Sequence, residues 1–473
     1  MFELRNACLS AFRSSVKAVQ PYNRVRSTLK VADGYLSVGK QKYKLNSNVY
    51  IAAFGKAGLG MVQGAEDVLG SEVVKGIASV PRNSLQKLSP GEHLITNIYE
   101  GATNNLPDED SLRNAKKIED MAKSLTANDL FLVLISGGGS ALLSAPVESI
   151  SLSEKLATIK AMTSRGADIK QLNTVRIALS RLKGGKLAAL AKPAKVLSLI
   201  ISDIVGDPLE LIASGPTVIP ADDKITSTPV QILKDLSAWN SIPKNVQDVL
   251  KSSSETFDAQ QKLVNNQIIS NNETAISGLE EFFKNVGYSS HKVSNTIAKN
   301  AQIFGKELAS VVKAVISGDN PVEQLKMLNF PDMSLRCSNS DRFALLFGGE
   351  CTVTLTGNGK GGRNQEIVLK AVSELLSTDI TKSPYDFVLM SAGTDGQDGP
   401  TEVAGVVFTS DDLLYMQSSA GWNKQKIDEY LNKNDSYNFW KIFRNGLCHV
   451  ITGPTGTNVM DVQVLLFSKK VSH

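Results

Sequence analysis

Three short stretches gather the residue types that hold anions. In "AFGKAGLG" Lys56 directly follows an apolar run, and in "ISGGGSALLSAP" Gly137, Gly138 and Gly139 stand between Ser136 and Ser140. In "TGNGKGGRNQE" Lys360 and Arg363 flank Gly361 and Gly362 ahead of a helical pattern. Bare backbone N–H groups at a strand-to-helix turn, aided by the helix N-terminus, bind phosphate. Glycine also permits tight turns with nothing bound, so one such loop supports either reading; three loops with cations favour an anion. Acids occupy matching places: Asp203 in "SDIVGDP", and Asp395 and Asp398 in "GTDGQDGP". Strand-end carboxylates beside phosphate suit Mg²⁺, which takes one or two of them and completes its shell with water and phosphate oxygens. Asp-Gly is equally a turn pair, the plainer reading for Asp398. Arg176, in "LNTVRIALSRLKGGKLAAL", is expected in the first turn of a helix capped by Asn173 or Thr174, against the helix dipole. An anion or a partner carboxylate would answer it.

Phosphoryl transfer needs cations and Mg²⁺ around the migrating group and little covalent chemistry from the protein. Other chemistries find weaker support. No Gly-Lys pair is followed by Ser or Thr, so there is no Walker A loop. "GNGKGG" matches GxGxxG but lacks the ribose-binding acid at the tip of "DFVLMSAG", which leaves a dinucleotide-dependent reductase as the alternative enzyme. Around Ser140, Leu142 stands where a nucleophile elbow needs its second glycine, and no histidine has a motif-like setting. The cysteines Cys8, Cys337, Cys351 and Cys448 are far apart without CxxC, which argues for a reducing compartment and against zinc. Basic residues number 51 against 47 acidic, mixed along the chain, so nucleic acid is not implied. No apolar stretch is long enough to cross a bilayer, so no membrane partner is expected.

The elements that must position these residues read as α/β. Apolar runs at "VYIAAFG", "LFLVLISGGG", "KVLSLIISDIVGD", "NNQIISNN", "RFALLFGGE", "DFVLMSAGTDG" and "HVITGPTG" alternate with helical patterns, the signature of a parallel sheet covered by helices. Each ends in polar or small residues, and ligands collect at the carboxyl ends of parallel strands. With 473 residues two domains are expected, 1–320 and 321–473, cut at the Gly, Asp, Asn and Pro cluster of "ISGDNPVEQLKMLNFPDMS". The first residues, rich in Arg, Lys and Ser, read as an amphipathic first helix ended by Pro21; a mitochondrial leader is the other reading.

Six motifs together, "ISGGGSALLSAP", "LNTVRIALSRLKGGKLA", "SDIVGDPLELIASGPTVIP", "GKGGRNQEIVLKA", "SAGTDGQDGPTEVAGVV" and "GPTGTNVMDVQVLL", resemble the glycerate kinase family whose carboxy-terminal half is called the MOFRL domain. The resemblance runs over nearly the whole chain. It implies a Rossmann-like N-terminal domain, a second MOFRL-type α/β domain and an active site in the cleft between. It implies phosphorylation of D-glycerate with ATP and Mg²⁺, the 2-phosphate favoured, in serine and fructose breakdown, in a cytoplasmic protein with a mitochondrial alternative; a homodimer is left open. Carried over by motif, Lys56, Arg363 and Asp395 are the expected catalytic residues. Ser136, Gly137, Gly138, Gly139, Ser140, Asp203, Asn272, Gly361 and Gly362 are expected at phosphate or nucleotide. Arg176, Glu350, Asn364 and Asn458 are expected at the substrate, with Asp395 and Asp203 as the candidate Mg²⁺ ligands.

Overall fold

A computed structural model describes residues 2–89, 91, 93–102, 106–219, 228–252, 263–319, 321–327, 340–419 and 421–470. The chain forms two compact units, one of residues 21–203 and 207–270, the other of residues 1–20, 204–206 and 271–473. Ser270 ends the last strand of one sheet and Asn271 caps a helix of the other unit, so the backbone changes units there. The expected cut near residue 320 instead falls inside the second unit; Asn320 and residues 328–339, Cys337 among them, lie outside the described residues. Among the described residues no helix is long and apolar enough to cross a membrane.

The unit around residues 21–270 opens with a three-stranded antiparallel sheet, β1 (Lys30–Ala32), β2 (Tyr35–Val38) and β3 (Gln41–Lys44). A six-stranded parallel sheet follows: β4 (Val49–Phe54), β5 (Val73–Pro81), β6 (Thr96–Gly101), β7 (Leu130–Ile135), β8 (Lys195–Ile201) and β9 (Val264–Ser270). Its order is β6-β5-β4-β7-β8-β9, with every neighbouring pair parallel. All six residues of β7, "LFLVLI", are buried, as a central strand covered on both faces requires. Strand order reverses between β4 and β7, so the crevice that receives ligands in doubly wound sheets opens at their carboxyl ends. A satellite core of Met162, Leu172, Val175, Leu233 and Val246 joins the helices Leu152–Thr163, Ile169–Ala178, Pro229–Asp235 and Lys244–Ser252.

The other unit carries β10 (Ser289–Ile297), β11 (Arg342–Gly349), β12 (Tyr385–Gly393), β13 (Gly405–Thr409), β14 (His449–Val450) and β15 (Asp461–Lys469). Their order is β10-β11-β15-β12-β13-β14, and only β10 and β11 run parallel. The parallel sheet expected from the sequence therefore holds for the first unit alone. The departure is β15, unrecognised as a strand in the sequence, which runs antiparallel between β11 and β12 with its first seven residues buried. Helix Phe2–Ala18 belongs to this unit and lies on helix Asn272–Asn285, where a Cβ at Gly278 would come 2.8 Å from Ala18. Cys8, Ala11, Phe12 and Val19 are buried, as the expected amphipathic face requires. Pro21 starts the next helix, Pro21–Thr28.

Candidate active site

At the switch point of the parallel sheet the chain folds Lys56 against the triple-glycine loop. Lys56 N–H donates to Gly137 O at 2.8 Å and Ala57 N–H to Ser136 Oγ at 3.0 Å, so the ends of β4 and β7 are tied together. Gly139 N–H returns to Ser136 O at 3.1 Å, and Gly138 takes φ +80°, which closes the loop as a turn ahead of the short helix Gly139–Leu142. Two glycines are needed by close approach rather than by the turn. A Cβ at Gly55, where φ is +127°, would sit 2.2 Å from Ser136 Oγ; one at Gly137 would sit 2.1 Å from Asp203 Oδ2. Asp203, at the end of the adjacent β8, therefore lies directly beside the loop. Burial raises its carboxyl above the usual range, opposed by the positive charge of Lys56. Lys56, Ser136, Gly137, Gly138, Gly139 and Asp203 thus converge from three neighbouring strand ends.

Ser140 turns away from this group. Its Oγ pairs with Ser214 Oγ at 2.9 Å, and Ser214 Oγ donates to Asn173 Oδ1 at 3.0 Å. Arg176 Nη1 donates to the same Asn173 oxygen at 3.5 Å. The helix carrying Arg176 differs from the sequence expectation. It spans Ile169–Ala178, is capped by Asp168 in a capping box with Gln171, and holds Arg176 in its last turn. There a cation complements the helix dipole, so the dipole gives no reason to expect an anion. The sequence reading missed Asp168 because Asp168 and Gln171 precede the motif it was built on.

In the other unit the ends of β11 and β12 and the start of β15 meet at one sheet edge and gather a charged group. Arg363, first residue of the helix Arg363–Leu375, donates through Nε and Nη2 to Asp461 at 2.5 and 2.9 Å, and its Nη1 lies 2.8 Å from Glu350 Oε1. Burial works to lower the guanidinium pKa; Asp461, by charge and hydrogen bond, and then Glu350 override it and hold the group above its ordinary range. Asp461 is fully buried. Gly393 is a shared neighbour: a Cβ there would lie 3.2 Å from Asp395 Oδ1 and 3.3 Å from Asp461 Oδ1. Half-buried Asp395 accepts from Gln397 N–H at 3.0 Å, and its carbonyl takes Thr455 N–H at 3.1 Å, which ties "GTDG" to "GPTGTN".

Other expected site residues serve the fold. Asn272 donates to Val459 O and Asp461 O at 2.9 and 2.8 Å, holding the start of β15. Asn364 is buried, donates to Asp398 at 3.2 Å and accepts from Ser391 Oγ at 2.6 Å. Asn458 is half-buried and its Oδ1 takes Met460 N–H at 3.0 Å. The glycines of "GNGKGG" are filled by the chain itself: a Cβ at Gly361 would lie 2.2 Å from Ser436 Oγ, and one at Gly362 would lie 2.3 Å from Asp398 Cγ. Lys360 pairs with Glu402 at 3.1 Å. This loop packs against the 433–436 segment, and neither the dinucleotide pattern nor a bare phosphate cradle describes it. Asp398, read as a turn former, caps the helix: its carboxylate accepts the N–H groups of Asn364 and Gln365 at 3.0 and 2.9 Å. Burial nonetheless pushes its carboxyl up to about 6.

Residues 7–251 match a domain of unknown function, DUF4147, and residues 343–461 match the MOFRL family. A glycerate kinase of Rattus norvegicus is 40% identical over 490 residues, covering 96% of this chain and 92% of its own. A glycerate 2-kinase of Pyrococcus horikoshii is 32% identical and covers 99% of this chain and 98% of its own. The crystal structure of a glycerate kinase from Thermotoga maritima superposes with a TM-score of 0.79 at 30% identity, covering 98% of this chain and all of that one.

Proposed function

The chain belongs to the glycerate kinase family with a MOFRL carboxy-terminal domain, and from that premise we propose that it transfers a phosphoryl group from ATP to D-glycerate, with Mg²⁺ present and the 2-hydroxyl as acceptor. The observation that carries the reading is the meeting of Lys56, the Ser136–Gly139 turn and Asp203 at the carboxyl ends of three adjacent parallel strands. A lysine charge and a glycine turn beside a switch point are suited to phosphate oxygens. The 2-position follows the Pyrococcus relative's printed activity. The product would enter serine and fructose breakdown.

In this reading Lys56 holds phosphoryl oxygens and the glycine turn lets them approach the backbone. Arg363, kept charged by Asp461 and Glu350, offers its remaining donor capacity to a substrate anion. The acceptor hydroxyl oxygen bonds to the γ-phosphorus, the bond to the bridging oxygen of the ADP leaving group breaks, and Asp395 takes the hydroxyl proton. Asp203 is the residue that would hold Mg²⁺, with Asp395 the alternative holder if it is not the base. Mg²⁺ needs only one or two carboxylates beside phosphate and water. Bound, it would neutralise charge on the phosphates.

Cytosolic residence belongs to the same proposal, supported by Cys8, Cys351 and Cys448 as buried free thiols. The test is ADP release from ATP and Mg²⁺ with D-glycerate, L-glycerate or no acceptor, with the product resolved by phosphorus NMR. Turnover with D-glycerate and coupling to the C2 proton is expected. A folded sample that binds ATP but turns over none of these acids would refute the reading.

A further inference from the structure

The N-terminal unit holds a group of cations that no carboxylate of the described residues neutralises. Lys155 and Lys183 are 4% and 1% exposed, and half-buried Arg176 lies near enough for its charge to act on both. Lys155 Nζ makes one long hydrogen bond among the described residues, to Ser144 Oγ at 3.4 Å. Arg176 makes one, to Asn173 Oδ1 at 3.5 Å. Lys183 Nζ reaches Ser140 O at 3.0 Å and Ala213 O at 3.5 Å. The nearby acid, Glu119, is taken up by Lys123 and Arg181 at 2.7 and 3.0 Å. Asn173 adds a further donor: it is 3% exposed, its oxygen is used by Ser214 and Arg176, and its Nδ2 has no partner among the described residues.

Such a set is costly in an empty protein, because buried charge without a counter-charge and a buried N–H without an acceptor both oppose folding. The three cations also act on one another. Burial comes first, and with Arg176 and Arg181 it brings the Lys155 ammonium down to about 8; burial, Lys155 and Arg176 drive Lys183 well below the usual lysine range. Among the described residues of this group every polar atom left over is a donor, so the group calls for an anion.

We infer that Lys155, Arg176 and the Asn173 amide form the subsite for the carboxylate of the acceptor acid, with Lys183 as a positioning residue that pins the 140 and 213 carbonyls behind the glycine loop. The inference rests on the kinase reading above, in which Lys56 and the glycine turn serve phosphate; it gives the acid's carboxylate to this cluster in place of Arg363 and leaves Arg363 to the phosphoryl oxygens. The planar fork of Arg176 beside an amide donor suits a carboxylate. Lys155 stands where a core residue belongs, between Leu152 and Met162 on the buried stripe of its helix. An ordinary solvated lysine would not be placed there.

The test uses the full chain and two variants, Lys155→Met and Arg176→Gln. Lys155→Met keeps the apolar stem, removes a buried charge and should melt no lower than wild type at neutral pH. Without nucleotide, the thermal shift given by D-glycerate should weaken about tenfold or more in apparent affinity in both variants, the scale of a lost charged hydrogen bond. With ATP, the KM for D-glycerate should rise by the same factor while the KM for ATP stays within about twofold. Glycerol, which lacks the carboxylate, should be handled alike by all three proteins. Unchanged D-glycerate binding in both variants overturns the inference. So does a raised KM for ATP alone, or protection by inorganic phosphate that replaces that of D-glycerate and is lost in the variants; these assign the cluster to phosphate. If wild type fails to turn over D-glycerate yet binds it through these residues, the subsite stands and the transfer reaction falls.

Discussion

Replacing Asp461 by Asn isolates what holds Arg363. The carboxylate is fully buried and receives Nε and Nη2 at 2.5 and 2.9 Å, while Glu350, 41% exposed, meets the third nitrogen. Removing one member of a buried ion pair costs about 3–5 kcal/mol. Asn keeps an acceptor for one of the two bonds and Glu350 remains, so about 2–3 kcal/mol is expected here. For a unit of this size that lowers the melting transition by about 5–10 °C. Glu350→Gln touches an exposed carboxylate and should cost about 1 kcal/mol or less, vanishing at high salt. The assay is thermal unfolding of wild type and both variants at low and high salt, together with steady-state turnover. Asp461→Asn should melt low at both salt concentrations and lose at least about tenfold in turnover, because the guanidinium is no longer aimed. An Asp461→Asn protein that melts within about a degree of wild type, or one rescued by salt, would refute a buried, aiming carboxylate.

Lys56→Ala should lower turnover by about 100-fold or more, the scale of a lost phosphate-stabilising charge, and move the melting temperature little; a variant that unfolds would make the lysine structural. Gly137→Ala puts a methyl 2.1 Å from Asp203 Oδ2 and should cost about 1–3 kcal/mol by overpacking, with loss of ATP protection in thermal shift. Asp203→Asn should be more stable than wild type at neutral pH while less active. The native carboxyl, raised by burial, binds its proton more tightly folded than unfolded, so stability falls as pH rises from the ordinary carboxylate range through the raised value. The amide escapes that loss, and a melting series from pH 7 downward should show its advantage shrinking.

The first constellation was legible because each part carries a local signal. A strand end followed by glycine and a lysine, serine or acid can be read without knowing the fold, and doubly wound topology brings such ends together by rule. Asp461 lacked any such signal: its partner Arg363 is 98 residues earlier in the chain, and the strand it opens was read as the tail of a motif. The "GNGKGG" loop misled because glycine is equally required for close packing, here against residues 433–436. Arg176 was singled out from a helix start that lies elsewhere; the surrounding unpaired donors, invisible in sequence, are what distinguish it. Lys155 offered a clue that went unused, a lysine in register with Leu152 and Met162. Asn272 and Asn364 show the converse, residues of motif-like setting that bind the fold: Asn272 spends its Nδ2 on two backbone carbonyls, and Asn364 its amide on Asp398 and Ser391.

Helix Phe2–Ala18 leaves the ribosome before residues 21–470, yet its place is on a unit whose sheet is completed by β15, more than 400 residues later. Residues 21–270 can fold in the meantime, while the helix waits for about 200 residues more, on the order of 10–40 s at ordinary elongation rates. During that interval Cys8, Phe12 and the rest of its apolar stripe have no core to enter, and Arg5 lacks Asp412 and the carbonyls of Val407 and Leu447 that later receive it. Biogenesis therefore depends on keeping a nascent amphipathic segment from premature company, and slowing translation beyond residue 270 should raise the fraction of chains captured by chaperones.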